Sequence, residues 1–165
     1  MLKEYTEFTN TTAMYPRNNV IMGLDYLALK LSGETAEYLV AETKTDTMLE
    51  IGDLFWYTAQ IYHVLDIDMQ LVWGIIENTR AMFAFDQYDL VTITGQISET
   101  VGKAIRKGEF TSVTETRLTH YSFMLLACLY TLLEAGNFTL AEVLDGNVAK
   151  LTGRVATNTI SEEAR

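Results

Sequence analysis

Two pairs of acidic residues stand at spacings that could hold a metal ion. Glu34 and Glu37 are three residues apart in one predicted helix, and Glu50 and Asp53 are three apart in the next. Side chains three residues apart share a face of a helix. The 12 residues between Glu37 and Glu50 let the first helix end, turn and begin an antiparallel partner. The two pairs can therefore face each other between the helices.

Four carboxylates brought together repel one another strongly unless a cation lies among them. A solvated helix face explains any one such pair alone. Glu50, however, falls within the apolar ladder of its helix, and Glu34 borders the stripe that contains Leu31. A carboxylate on a core-facing stripe is costly unless it is paired or bound to metal. Hard oxygen ligands favour Mg²⁺ or Mn²⁺, and Mg²⁺ commonly completes its shell with water and substrate phosphates.

The composition indicates one helical domain over residues 1–165. One proline and ten glycines among 165 residues are too few turn signals for an all-β chain. With 12 basic and 22 acidic residues, the net charge of −10 argues against nucleic-acid polymers as partners. The apolar run between His120 and Glu134 is short for a membrane span and predicts a buried core helix. The single cysteine, Cys128, cannot form an internal disulfide, which favours a reducing compartment such as the cytoplasm. Because no membrane span is predicted, we expect no membrane partner.

Periodicity and punctuation predict six helices, with Asp46 as the N-cap of the second. They cover about residues 18–43, 46–66, 69–82, 89–107, 112–135 and 139–155. Lys107-Gly108 and Ala135-Gly136-Asn137 are typical of helix C-caps and turns. The order of lengths is long, long, short, and then the same again.

This order predicts an internal repeat. A shift of 69 residues pairs Gly33 with Gly102 and Asn78 with Asn147, although few other identities coincide. The helices and turns coincide as well. We therefore expect an all-α helical bundle built from two three-helix repeats, at about residues 20–83 and 89–152.

Three segments contain motifs that combine acidic, aromatic and basic residues. Residues 31–37 read LSGETAE, residues 49–57 read LEIGDLFWY and residues 147–154 read NVAKLTGR. They resemble the LxGExxE, ELGDxLWY and NxxKLxxR patterns of the MazG-like all-α nucleoside triphosphate pyrophosphohydrolase superfamily. The resemblance implies Mg²⁺-dependent cleavage of a nucleoside or deoxynucleoside triphosphate to the monophosphate and pyrophosphate.

The resemblance also implies roles for individual residues. The metal ligands would be Glu34, Glu37, Glu50 and Asp53. Glu37 and Glu50 would be catalytic as well, with Glu37 favoured as the base that activates water. The substrate would contact Lys44, Tyr57, Asn147, Lys150 and Arg154.

The second repeat departs from the pattern. At the four acidic positions it carries Lys103, Arg106, Thr119 and Ser122. Members of the superfamily are mostly single copies that dimerise, so the resemblance implies a fused pseudo-dimer with one metal site. The second repeat would then supply basic groups, Lys103 and Arg106 among them, to the substrate. The broad apolar helix faces also predict a homodimer of chains.

Two other functions are open at this point. The chain could be a non-catalytic helical dimerisation module whose acidic pairs are solvated. It could instead hydrolyse a nucleoside diphosphate or a phosphorylated metabolite. The sequence leaves the base and sugar preference undetermined.

Overall fold

The protein is a bundle of α-helices. The computed structural model describes residues 1–157, with the backbone alone at Ala81. This part of the chain forms α1 (Leu2–Thr12), α2 (Val20–Val40), α3 (Lys44–Val64), α4 (Met69–Thr79) followed by a 3₁₀ turn (Arg80–Met82), α5 (Gln87–Lys107), α6 (Ser112–Gly136) and α7 (Leu140–Ala156). Residues 1–157 contain no strand, which confirms the all-α prediction. The last eight residues of the predicted domain lie outside the described part.

Local capping residues set the helix ends. The predicted N-cap Asp46 is wrong, because Thr43 caps α3 and accepts a hydrogen bond from the Asp46 amide at 3.1 Å. Asp46 lies instead in the first turn, where its charge complements the helix dipole. Gly108 ends α5 with φ of 70°, and Asn137 ends α6 with φ of 55°, as the turn signals predicted. Both lie in the left-handed region that glycine and asparagine tolerate best.

α3 is the central helix of the bundle. Its residues from Ile51 to Tyr62 are all buried. A helix with no exposed face must be covered on every side, and α1, α2, α6 and α7 pack around it. Asp53 belongs to this buried stretch, so one of the predicted metal ligands projects from the core.

The four long helices pack as two hairpins. α2 packs against α3 and α5 against α6, and the hairpins meet through α2 with α5 and α3 with α6. The start of α3 lies beside the end of α6, where the Lys44 Nζ is 3.5 Å from the Asn137 carbonyl oxygen. α3 and α6 are therefore antiparallel.

α6 combines length with apolar composition. Among the described helices it is the one that could cross a membrane by these criteria, and most of its apolar stretch is buried inside the protein. The buried residues include the run from Leu125 to Tyr130, which joins the hydrophobic core. This burial agrees with the predicted core helix between His120 and Glu134.

The two shorter helices cross between the hairpins. α7 follows α6 in the chain but packs against α3, whereas α4 follows α3 and packs against α6. Side chains from the second half of the chain therefore reach the helix that carries Glu50 and Asp53.

The N-terminal helix α1 was not predicted. Its buried residues, Leu2, Tyr5, Thr9 and Thr12, lie on one face that packs against α3, α4 and α7. Two of the four are threonines, so the apolar pattern in the sequence is weak. The Tyr5 hydroxyl donates a hydrogen bond to the Asn147 Oδ1 at 2.9 Å and lies 3.4 Å from the Gly52 carbonyl oxygen. α1 thus ties α7 to α3.

We expect Tyr5→Phe to destabilise the protein by about 1–3 kcal/mol, because the buried Asn147 Oδ1 would lose its donor. Urea unfolding of the two proteins measures the difference. Tyr88→Phe is the matched control, since the Tyr88 side chain is exposed on α5. Equal losses in both variants would show that the Tyr5 hydroxyl contributes nothing specific.

Candidate metal centre

Three of the four predicted carboxylates converge between α2 and α3. One carboxylate oxygen each of Glu34, Glu50 and Asp53 lies within 4.8 Å of the other two. Glu34 and Asp53 are only 9% and 8% exposed, and Glu50 is half-buried. Below we call these three residues the carboxylate cluster. It has the oxygen donors and the spacing that a divalent cation requires.

Glu37, the fourth predicted ligand, lies at the edge of the cluster. It is exposed and lines a surface depression together with Glu50. Its negative charge nevertheless raises the pKa of both Glu34 and Glu50. Glu37 is therefore electrostatically coupled to the cluster, but it is not among the three converging carboxylates.

One oxygen of the cluster is buried without a hydrogen-bond partner in the described residues. This atom is the Glu50 Oε2. A buried carboxylate oxygen that lacks a donor or cation carries an uncompensated desolvation cost. A bound cation would satisfy the Glu50 oxygen.

Burial and repulsion both shift the ionisation of the cluster. Desolvation is the largest cause that raises the pKa of Glu34 to about 7, and the charges of Asp53, Glu37 and Glu50 add to it. Desolvation also raises the pKa of Glu50. The positive charge of Lys150 opposes both shifts.

Asp53 differs from its neighbours because α7 supplies partners to both of its oxygens. The Asn147 Nδ2 donates to the Asp53 Oδ1 at 2.7 Å, and the Lys150 ammonium pairs with the Asp53 Oδ2. Asn147 is fully buried, and the Tyr5 hydroxyl fixes its amide from the other side. Asn147 and Lys150, both predicted from the resemblance, are thus brought to the cluster.

Gly52 allows α7 to approach α3 this closely. A Cβ atom at Gly52 would lie 3.0 Å from the Asn147 Cβ and 3.3 Å from the Val143 carbonyl oxygen. A side chain there would require Asn147 or the α7 backbone to shift by a few tenths of an ångström. The glycine therefore maintains the contact between Asn147 and Asp53.

An aromatic pocket adjoins the carboxylate cluster. The residues that line it include Glu34 and Asp53 of the cluster together with Tyr26, Trp56, Tyr57, Leu151 and Arg154. The Trp56 and Tyr57 rings pack edge to face, with centroids 4.8 Å apart. Burial is the main cause that raises the pKa of Tyr57, so its hydroxyl stays protonated. The lining therefore combines aromatic rings with acidic and basic side chains.

The other predicted substrate residues lie away from the cluster. The Lys44 ammonium contacts the Asn137 carbonyl and lies 5.0 Å from the centre of the Phe138 ring. Lys103 pairs with Glu99 on its own helix at 2.9 Å, and Arg106 is exposed on α5. In the described residues neither Lys103 nor Arg106 contacts a carboxylate of the cluster, so their role stays a prediction.

Some residues near the site were not predicted as site residues, and the sequence pattern that could have indicated each of them differs. Tyr5, which sequence reasoning missed, is visible only through its spacing from Leu2. Trp56 and Tyr26 line the pocket although no role was assigned to them. Trp56 stands within the ELGDxLWY-like segment, which was the available signal for it.

The raised pKa of Glu34 predicts how the stability of the metal-free protein depends on pH. Because the folded-state pKa is about 7 and the ordinary value is 4.5, the folded protein holds the proton more tightly. Stability therefore falls as pH rises from about 4.5 through 7. We expect Glu34→Gln to remove much of this loss and to stabilise the protein at pH 8 by about 1 kcal/mol, after allowance for solvent screening.

Thermal unfolding in a metal chelator between pH 5 and 8 measures the effect. Glu7→Gln, at an exposed acid on α1, is the control and should keep the wild-type pH dependence. A Glu34→Gln profile that matches the wild type would show that repulsion within the cluster is negligible.

Comparison with known proteins adds no assignment. No family model matches this chain, and no curated protein or solved structure gives a significant match. The functional conclusion rests on the residues and their geometry.

Proposed function

We propose that the protein is a divalent metal-dependent nucleoside triphosphate pyrophosphohydrolase. The observation that carries this proposal is the carboxylate cluster, in which three carboxylates converge and the buried Glu50 Oε2 lacks a partner within the described residues. The resemblance of the three motif segments to the MazG-like superfamily supports the same activity. Glu34, Glu50 and Asp53 would hold Mg²⁺ or Mn²⁺, with Glu37 beside them.

Each part of the site has a role in this reaction. The metal ion, when bound, would neutralise phosphate charge and activate a water molecule. Lys150 and Arg154 would bind phosphate oxygens. Both belong to α7; Lys150 contacts Asp53, and Arg154 lines the pocket beside the cluster. Tyr26, Trp56 and Tyr57 would pack against the base. The aromatic pocket thus orients the nucleotide with its phosphates toward the carboxylates.

The chemical step is a displacement at the α-phosphorus. A water oxygen forms a bond to this phosphorus, and the bond to the bridging oxygen between the α- and β-phosphates breaks. Pyrophosphate leaves with the electron pair, and the proton of the water passes to a carboxylate, for which we favour Glu37. The position of Glu37 at the exposed edge of the cluster suits contact with an entering water molecule.

We further propose that the two halves of the chain form a fused pseudo-dimer. The reciprocal packing of α7 on α3 and of α4 on α6 supports it, because a pseudo-twofold axis would exchange these pairs. The meeting of α2 with α5 near their centres is consistent with the same axis, since the Ser98 Oγ lies 3.0 Å from the Ser32 Oγ. One half would provide the carboxylates, and the other would provide Asn147 and Lys150.

Location and assembly belong to the same proposal. Cys128 is buried and free, which fits a reducing compartment such as the cytosol. A homodimer of chains and a substrate contact for Lys44, Lys103 and Arg106 stay predictions.

We expect the purified protein with Mg²⁺ to convert at least one nucleoside or deoxynucleoside triphosphate to the monophosphate and pyrophosphate. A screen of all common triphosphates, with separate detection of pyrophosphate and orthophosphate, is the test. Orthophosphate with a diphosphate product would indicate a different hydrolase. Absence of turnover together with absence of metal binding would favour a non-catalytic helical module.

Glu50→Gln and Asp53→Asn should each lower kcat at least about 1,000-fold, because each removes a charged ligand from the metal centre. Circular dichroism checks that both variants fold. Glu7→Gln serves again as the matched loss of an exposed carboxylate. A folded Asp53→Asn variant with wild-type kcat would remove Asp53 from the site.

A further inference from the structure

The carboxylate cluster has a cationic partner on α7. The Lys150 ammonium pairs with the Asp53 Oδ2. The two side chains are only 22% and 11% exposed, so solvent screens their attraction weakly. This ion pair is therefore a defined feature of the metal centre.

The Lys150 charge acts on the whole cluster. It also lowers the pKa of Glu34 and of Glu50, against the effect of their burial. The oxygens of Glu34, Glu50 and Asp53 lie within 4.8 Å of one another, so a cation on one is near the other two. Lys150 thus partly balances the charge that a divalent ion would balance fully.

The Asp53 carboxylate has no free oxygen in this arrangement. Its Oδ1 accepts from Asn147, which is fully buried and fixed by the Tyr5 hydroxyl. Its Oδ2 pairs with Lys150, which is carried on a flexible side chain near the surface. Of the two partners, Lys150 is the one that can move away without opening the core.

We propose that Lys150 is the resident counter-ion of the metal centre and that a divalent cation must displace it from Asp53. The inference rests on the proposed function and adds the order of events, in which the metal ion binds and Lys150 leaves Asp53. The ammonium released by the metal is then available to a phosphate group. Metal and triphosphate therefore strengthen each other's binding, and by linkage the effect is reciprocal.

The first experiment measures Mn²⁺ affinity by calorimetry, without nucleotide, for the wild type, Lys150→Met and Lys103→Met. Methionine keeps much of the length of lysine but carries no charge. We expect Lys150→Met to bind Mn²⁺ at least tenfold more tightly than the wild type. Lys103→Met removes the same charge from α5 and should change the affinity less than twofold. An affinity for Lys150→Met that is equal to or weaker than that of Lys103→Met overturns the proposal.

The second experiment follows the side-chain ammonium signals of the unmodified protein by NMR during addition of Mg²⁺. It keeps the proposal testable if Lys150→Met fails to fold. The Lys150 signal should shift or broaden in step with Mg²⁺ binding, whereas the Lys103 signal, from the pair with Glu99, should not. A Lys150 signal that is unchanged at saturating Mg²⁺ overturns the proposal.

The outcomes separate this inference from the function on which it rests. If Mg²⁺-dependent pyrophosphate release is observed but the calorimetry and NMR experiments on Lys150 give the results that overturn the proposal, the proposed function stands and the counter-ion role is wrong. If neither the wild type nor Lys150→Met binds Mn²⁺ at millimolar concentration, both proposals are wrong.

Discussion

Repulsion among buried carboxylates is the constraint on which the rest of this structure depends. Glu34 and Asp53 are almost fully buried and Glu50 lies beside them, so their charges meet where water screens poorly. Such a group is tolerated when a cation offsets it or when protons neutralise part of it. The raised pKa of Glu34 and the ion pair between Lys150 and Asp53 represent both responses in one site.

The crossing of the short helices explains how the compensating charge arrives. α3 is buried from Ile51 to Tyr62, and Asp53 within this stretch would lack a compensating charge if α7 packed only on its neighbour in sequence. Because α7 packs on α3, Lys150 and Asn147 reach Asp53. The absence of a side chain at Gly52 leaves room for this close approach. At Ser122, the position that the 69-residue shift pairs with Asp53, the hydroxyl is fully buried and has no partner within the described residues. That position retains a polar atom but has no carboxylate that would need a cation.

Much of this arrangement could be predicted from the sequence because its signals are local. Glycine and asparagine at positive φ end α5 and α6, and the three-residue spacing of the acids places them on shared helix faces. The side on which each acid lies depends on how the helices are rotated against each other. This rotation buries Glu34 and exposes Glu37. It cannot be predicted from the spacing of the acidic residues alone.

Contacts between distant segments were harder to predict. The N-terminal helix was missed because two of its four buried residues are threonines. Their hydroxyl groups donate hydrogen bonds to backbone carbonyl oxygens three residues earlier in the same helix. The pairing of Lys150 with Asp53 spans 97 residues and follows from the crossing of α7. The 69-residue shift predicts Lys103 as a substrate contact. In the structure Lys103 pairs with Glu99, one turn away on α5, and its substrate role stays a prediction.

The central claim is that the carboxylate cluster binds a divalent cation. Anomalous X-ray scattering from crystals soaked in Mn²⁺ tests it most directly. The account predicts a manganese peak coordinated by Glu34, Glu50 and Asp53, with the Lys150 ammonium moved off Asp53 and no peak beside Ser122. An unoccupied cluster at saturating Mn²⁺, with Lys150 still paired to Asp53, would contradict it.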